Sequence, residues 1–77
     1  MGTYIIGILI VDLESSDLNK VVDKISKLKS VVHMFPYDIN NKNVFKQRYV
    51  IYVDPDDLVA LSLELRDIKD VVQCYSN

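Results

Sequence analysis

The stretch Tyr4–Leu13, YIIGILIVDL, constrains this chain more than any other. Its length, its isoleucines and the polar DLESSD that follows predict a β-strand rather than a helix. In a strand, Ile5, Gly7, Leu9, Val11 and Leu13 share one face, while Tyr4, Ile6, Ile8 and Ile10 share the other, ahead of Asp12. A sheet with helices on one side only should alternate apolar and polar residues. Apolar residues on both faces therefore place this strand in the middle of a sheet whose second face is also dry. Leaving such side chains in water would forgo about 1.5–3 kcal/mol each.

Leu18, Val21, Val22, Ile25 and Leu28 then recur at helical spacing, with Lys20, Asp23, Lys24 and Lys27 opposite, the pattern of an amphipathic helix. Residues 31–38, VVHMFPYD, return to β-type side chains. INNKN reads as a turn, and residues 44–53, VFKQRYVIYV, as the hairpin partner. In that third strand Phe45, Gln47, Tyr49, Ile51 and Val53 share a face, and Val44, Lys46, Arg48, Val50 and Tyr52 the other. DPDD marks a helix start, with Asp54 as N-cap, Pro55 at the first helical position, and Asp56 and Asp57 in the positive first turn. That helix is predicted to reach about Lys69, and VVQCYSN closes the chain as a strand.

The order β-α-β-β-α-β predicts a single α+β domain over residues 1–77, a ferredoxin-like sandwich. Its four-stranded antiparallel sheet would have the order 4-1-3-2, with both helices on one face. Pro36 suits the edge position this gives the second strand, since proline cannot donate to a ladder.

Chains of 77 residues bury only about 60–65% of their unfolded surface, and pairing with another subunit often supplies the missing stabilisation. Cys74 is the single cysteine, so no intrachain disulfide exists; a reducing, cytoplasmic setting is expected. With 49% hydrophobic residues and 26% charged, the composition is globular. The net charge of −2 supplies no clustered basic surface for nucleic acid. The apolar run is too short to span a bilayer, and it has neither a preceding Lys or Arg nor a small-residue cleavage site.

No catalytic, metal or cofactor site is expected. His33 and Cys74 belong to strands at opposite edges, and helix capping accounts for Asp54, Asp56 and Asp57. The only glycines are Gly2 and Gly7, so there is no Gly-rich phosphate loop. Phe35, Tyr37, Phe45, Tyr49 and Tyr52 raise an RNA-stacking reading, but NVFKQRYVIYV lacks the glycines and spacing of that signature. In the second helix Leu58, Leu61, Leu65 and Ile68 form the core stripe. Val59 and Leu63 project away from it, as a contact surface for a partner would.

The Ile/Val-rich first strand ending in VD, the hairpin, and YVIYVDPDDLVALSLELRDIKDV with its short last strand resemble the ACT and RAM families of small regulatory domains. The resemblance covers nearly the whole chain as a pattern. It implies dimerisation through sheets and an effector bound where subunits meet. The Gly that usually opens the first helix of ACT domains is absent from DLESSDLNK, as is the Gly–Asp signature of RAM hairpins. Ser15, Ser16 and Asp17 serve first as N-cap candidates, and Asp12, Ser15 and Ser16 as the rim of an effector pocket. The expected protein is thus a non-enzymatic, homo-oligomeric regulatory module. Its interface would use Tyr4, Ile6, Ile8, Ile10, Val50, Tyr52, Val59 and Leu63. The alternative is a peptide-binding module or dedicated chaperone, similar to the small βαββαβ maturation chaperones of the NapD kind, holding a partner protein on the same face or on the edge strand with Pro36.

Overall fold

A computed structural model of the chain describes residues 5–76. The elements are β1 (Gly7–Glu14), α1 (Leu18–Ser26), β2 (Val31–Pro36), β3 (Lys46–Val53), a 3-10 turn over Pro55–Asp57, α2 (Leu58–Arg66) and β4 (Val71–Ser76). All pairings are antiparallel, and the order across the sheet is β2-β3-β1-β4, which counted from the other edge reads 4-1-3-2. This is an α+β arrangement consistent with the ferredoxin-like fold.

One face of the sheet, through Leu9, Val11, Leu13, Ile51, Val53 and Cys74, meets the apolar stripes of both helices, Leu18, Val21 and Ile25 of α1 and Leu61 and Leu65 of α2. Gly7 is buried beside Leu58 at the start of α2. A Cβ there would sit 3.0 Å from the Val53 carbonyl oxygen and 3.2 Å from Leu58 Cδ1. Gly7→Val should therefore push α2 off the strand and destabilise by about 1–3 kcal/mol in a urea titration.

Element boundaries differ from the sequence expectation for local reasons. β1 starts at Gly7, so Ile6 precedes the ladder, and Tyr4 lies outside the described residues. β2 stops at Pro36 and β3 starts at Lys46, and in the loop before it carboxamides take the backbone donors: Asn43 Oδ1 accepts from the Phe45 N–H, and Asn41 Oδ1 from the Asn43 N–H. DPDD does not open the α-helix directly. Asp54 accepts from the Asp56 N–H and the chain winds one 3-10 turn before α2 begins at Leu58. Nor does α2 reach Lys69; after Arg66 the bonds shorten to three-residue spacing, Asp67 N–H to Glu64 and Ile68 N–H to Leu65.

At α1 the cap is Asp17, whose carboxylate accepts from the Lys20 N–H, while Ser15 Oγ accepts from the Asp17 N–H. Asp17→Ala should cost about 1 kcal/mol, read as a shift in the urea midpoint at unchanged slope.

The second half of the chain repeats the first at an offset of 40 positions. Leu18–Ser26 corresponds to Leu58–Arg66, and Val31–Pro36 to Val71–Ser76. The helix-to-strand turns are superposable in their bonding: Leu28 N–H to Ile25 and Val31 N–H to Leu28 match Ile68 N–H to Leu65 and Val71 N–H to Ile68. Each following strand then carries a register irregularity at the same place, after Val31 and after Val71.

Candidate functional site

The sheet face away from the helices is built in rows that cross the strands. The register brings Phe35, Val50, Ile10 and Tyr75 into one row, and His33, Tyr52 and Ile8 into the next. The rings of Phe35 and Tyr52 meet edge to face at 5.1 Å, and His33 lies 5.4 Å from Phe35 and 6.3 Å from Tyr52. Beyond them runs a polar row. Arg48 grips Asp12 through two hydrogen bonds, 2.7 and 3.2 Å, the Gln73 amide donates to the same carboxylate at 2.8 Å, and the Arg48 guanidinium lies 5.5 Å from the Tyr37 ring.

Within β1 both isoleucines, Ile8 and Ile10, lie on the helix-free face, while Leu9, Val11 and Leu13 meet the helices, and the helix-free face is dry only at Ile10. Ile10, on the helix-free face, is 4% exposed within a single copy, because its cross-strand neighbours Val50 and Tyr75 close over it. Ile6, Ile8, Val50 and Tyr52 are half-buried. Val59 and Leu63 stand out from α2, 69% and 56% exposed.

The candidate pocket residues are not brought together. Asp12 faces the sheet side and lines a hollow with Tyr37, Asp38, Lys46 and Arg48. Ser15 and Ser16 line another, of about 330 Å³, between α1 and the turn after α2, with Lys20, Lys24, Ile68 and Asp70. A third groove, of about 420 Å³, lies between the start of α1 and the β2–β3 loop, lined by Ser16, Asn19, Lys42, Phe45 and Tyr49 among others. Sequence reasoning passed over this groove. The cluster of asparagines in INNKN, read only as a turn, was its available signal.

The hydrogen bond from Arg48 holds the Asp12 carboxyl below the usual carboxylate range, and Gln73 and the positive charges nearby add to this against partial burial. A carboxyl lowered in the folded state contributes stability above its unfolded pKa, and that contribution disappears as pH falls through the folded value. Asp12→Asn should therefore lose less stability than the wild type between pH 5 and about pH 2, as compared by urea unfolding at both ends.

His33 and Cys74 occupy opposite edge strands, β2 and β4. Cys74 is buried, and burial raises its thiol pKa despite the Arg66 guanidinium, which donates to the Cys74 carbonyl at 3.1 and 3.3 Å. Among the described residues no group of three or more His, Cys, Asp or Glu is placed to hold a metal ion. No helix among them is long and apolar enough to cross a membrane.

The fold and this face define a small α+β domain whose sheet carries half-buried apolar and aromatic side chains on the side away from the helices. Neither protein-family models, nor curated proteins, nor solved structures show a match to the chain.

Proposed function

We propose that the protein is a non-enzymatic regulatory module, ACT- or RAM-like in its ferredoxin-like layout, that homo-oligomerises through the helix-free sheet face and binds a small effector where subunits meet. The observation that carries this reading is the unbroken row Phe35–Val50–Ile10–Tyr75, with His33, Tyr52 and Ile8 beside it, spanning the sheet from edge to edge. Contiguous apolar surface of this kind marks interaction sites in soluble proteins. The polar row Arg48–Asp12–Gln73 closes one end and would fix register between copies. An effector at the subunit junction would meet Asp12 on this face, with Ser15 and Ser16 lining a separate hollow on the helix side.

Sedimentation velocity at micromolar concentration tests the assembly. The wild type should run as a dimer or larger, and Ile8→Asp, at a half-buried position, should stay folded by circular dichroism and sediment as a smaller species than the wild type because the sheet-face contact is lost. A wild-type chain that stays monomeric overturns the reading.

A second reading is favoured by β4. Its six residues, VVQCYS, include no proline and no charge, whereas β2 at the other edge ends on Pro36. Unguarded edges accept an extended segment of another protein. Retention of a partner by a chain that does not self-associate would favour this peptide-binding or chaperone function over the first.

A further inference from the structure

We infer that the helix layer is a second self-association surface, in which α1 of one copy lies along α2 of another about a two-fold axis. The argument begins with the 40-position repeat. Residues 17–30 and 57–70 occupy equivalent places in the two halves, and their burial alternates in step along both helices. Their charges, however, are opposite. Residues 17–30 carry Lys20, Lys24, Lys27 and Lys29 against Asp17 and Asp23, a balance of +2. Residues 57–70 carry Asp57, Glu64, Asp67 and Asp70 against Arg66 and Lys69, a balance of −2. At single equivalent positions Lys24 stands where the other helix has Glu64, and Lys27 where it has Asp67.

A two-fold interface sets the same patch against itself, so a patch of one sign repels its copy. This layer avoids that. Its halves are alike in shape and opposite in charge, and a two-fold rotation that places α1 over the partner's α2 meets basic with acidic twice. Of the charges named, Lys27 already meets Asp23 at 3.0 Å, an exposed pair within α1. Among the described residues the ion pairs are Asp23–Lys27 and Asp12–Arg48, so neither Glu64 nor Asp67 has a cation within 4 Å.

The asymmetry extends to the apolar residues. Val59 and Leu63 are exposed on α2 where α1 has Asn19 and Asp23. Lysine stems lie readily along apolar side chains while their ammonium groups stay in water. Lys20 and Lys24 of one copy would thus cover Val59 and Leu63 of the other and reach Glu64 and Asp67. Exposed pairs contribute little each and are screened by salt, so the charges set orientation while the covered apolar surface supplies affinity.

The test uses two double variants of the full chain, Lys24→Glu/Lys27→Glu and Glu64→Lys/Asp67→Lys. In the first both helices are acidic on balance, and in the second both are basic on balance. One variant is labelled with nitrogen-15, the two are mixed at low salt, and a zero-length carbodiimide cross-linker is applied. Each variant alone should give no α1-to-α2 cross-links between copies. The mixture should restore them between labelled and unlabelled chains, at least tenfold above either variant alone. The wild type should cross-link Lys24 or Lys27 to Glu64 or Asp67 between copies. Absence of α1-to-α2 cross-links between copies, both in a mixture of labelled and unlabelled wild type and in the mixture of variants, overturns the inference. Repeating the wild-type cross-linking in the Ile8→Asp chain separates this surface from the sheet face. Helix cross-links that persist there support the inference, whichever way the sheet-face reading falls.

Discussion

Leu9→Ala should lower the free energy of unfolding by about 2–5 kcal/mol, measured from the urea midpoint at unchanged slope. Leu9 is fully buried at the centre of β1, opposite Ile51, in the cluster that joins the sheet to both helices. Truncation removes its transfer free energy and leaves a cavity that a close-packed interior fills only in part. A domain of this size has roughly 4–12 kcal/mol of stability in all. The loss should therefore leave a measurable unfolded population at 37 °C, and a variant that keeps the wild-type midpoint would show that the core is not organised around β1.

Ile10→Asp should be as damaging, though Ile10 belongs to the face without helices. At 4% exposure the new carboxylate would be held dry between Val50 and Tyr75. An uncompensated buried charge costs about 3–5 kcal/mol. Ile8→Asp, two residues earlier on the same face, should cost far less, because Ile8 is half-buried and its substituent can reach water. The contrast separates two roles of one surface: Ile10 stabilises the single copy, and Ile8 is available for assembly. Equal loss of stability in both variants would contradict that division. Thermal and urea unfolding of the two, followed by circular dichroism, measures it directly.

Much of the fold was legible in the chain because its signals are local. The Leu18–Leu28 stripe, the Ile-rich first strand and the INNKN turn each depend on residues within a few positions of one another. Boundaries were less legible. DPDD carries every mark of an α-helical start, yet Asp54 captures the Asp56 N–H and tightens the chain into a 3-10 turn first. The candidate site was least legible. Asp12 and Ser15 are three residues apart, but strand alternation turns Asp12 toward Arg48, while the cap of α1 holds Ser15 on the helix side. The 40-position repeat was present in LKSVVHMF and IKDVVQCY throughout, and its meaning emerged only when burial showed the two helices in equivalent places.

The sequence by itself determined where strands and helices form and how the two helices are charged, because periodicity, capping and side-chain charge are properties of neighbours along the chain. Only the tertiary structure decided which apolar residues are dry in a single copy and which acidic groups are already paired. Val50 and Tyr75 close over Ile10, and Arg48 meets Asp12, across strands that are distant in sequence. Burial and pairing depend on those cross-strand distances, and a linear pattern does not encode them.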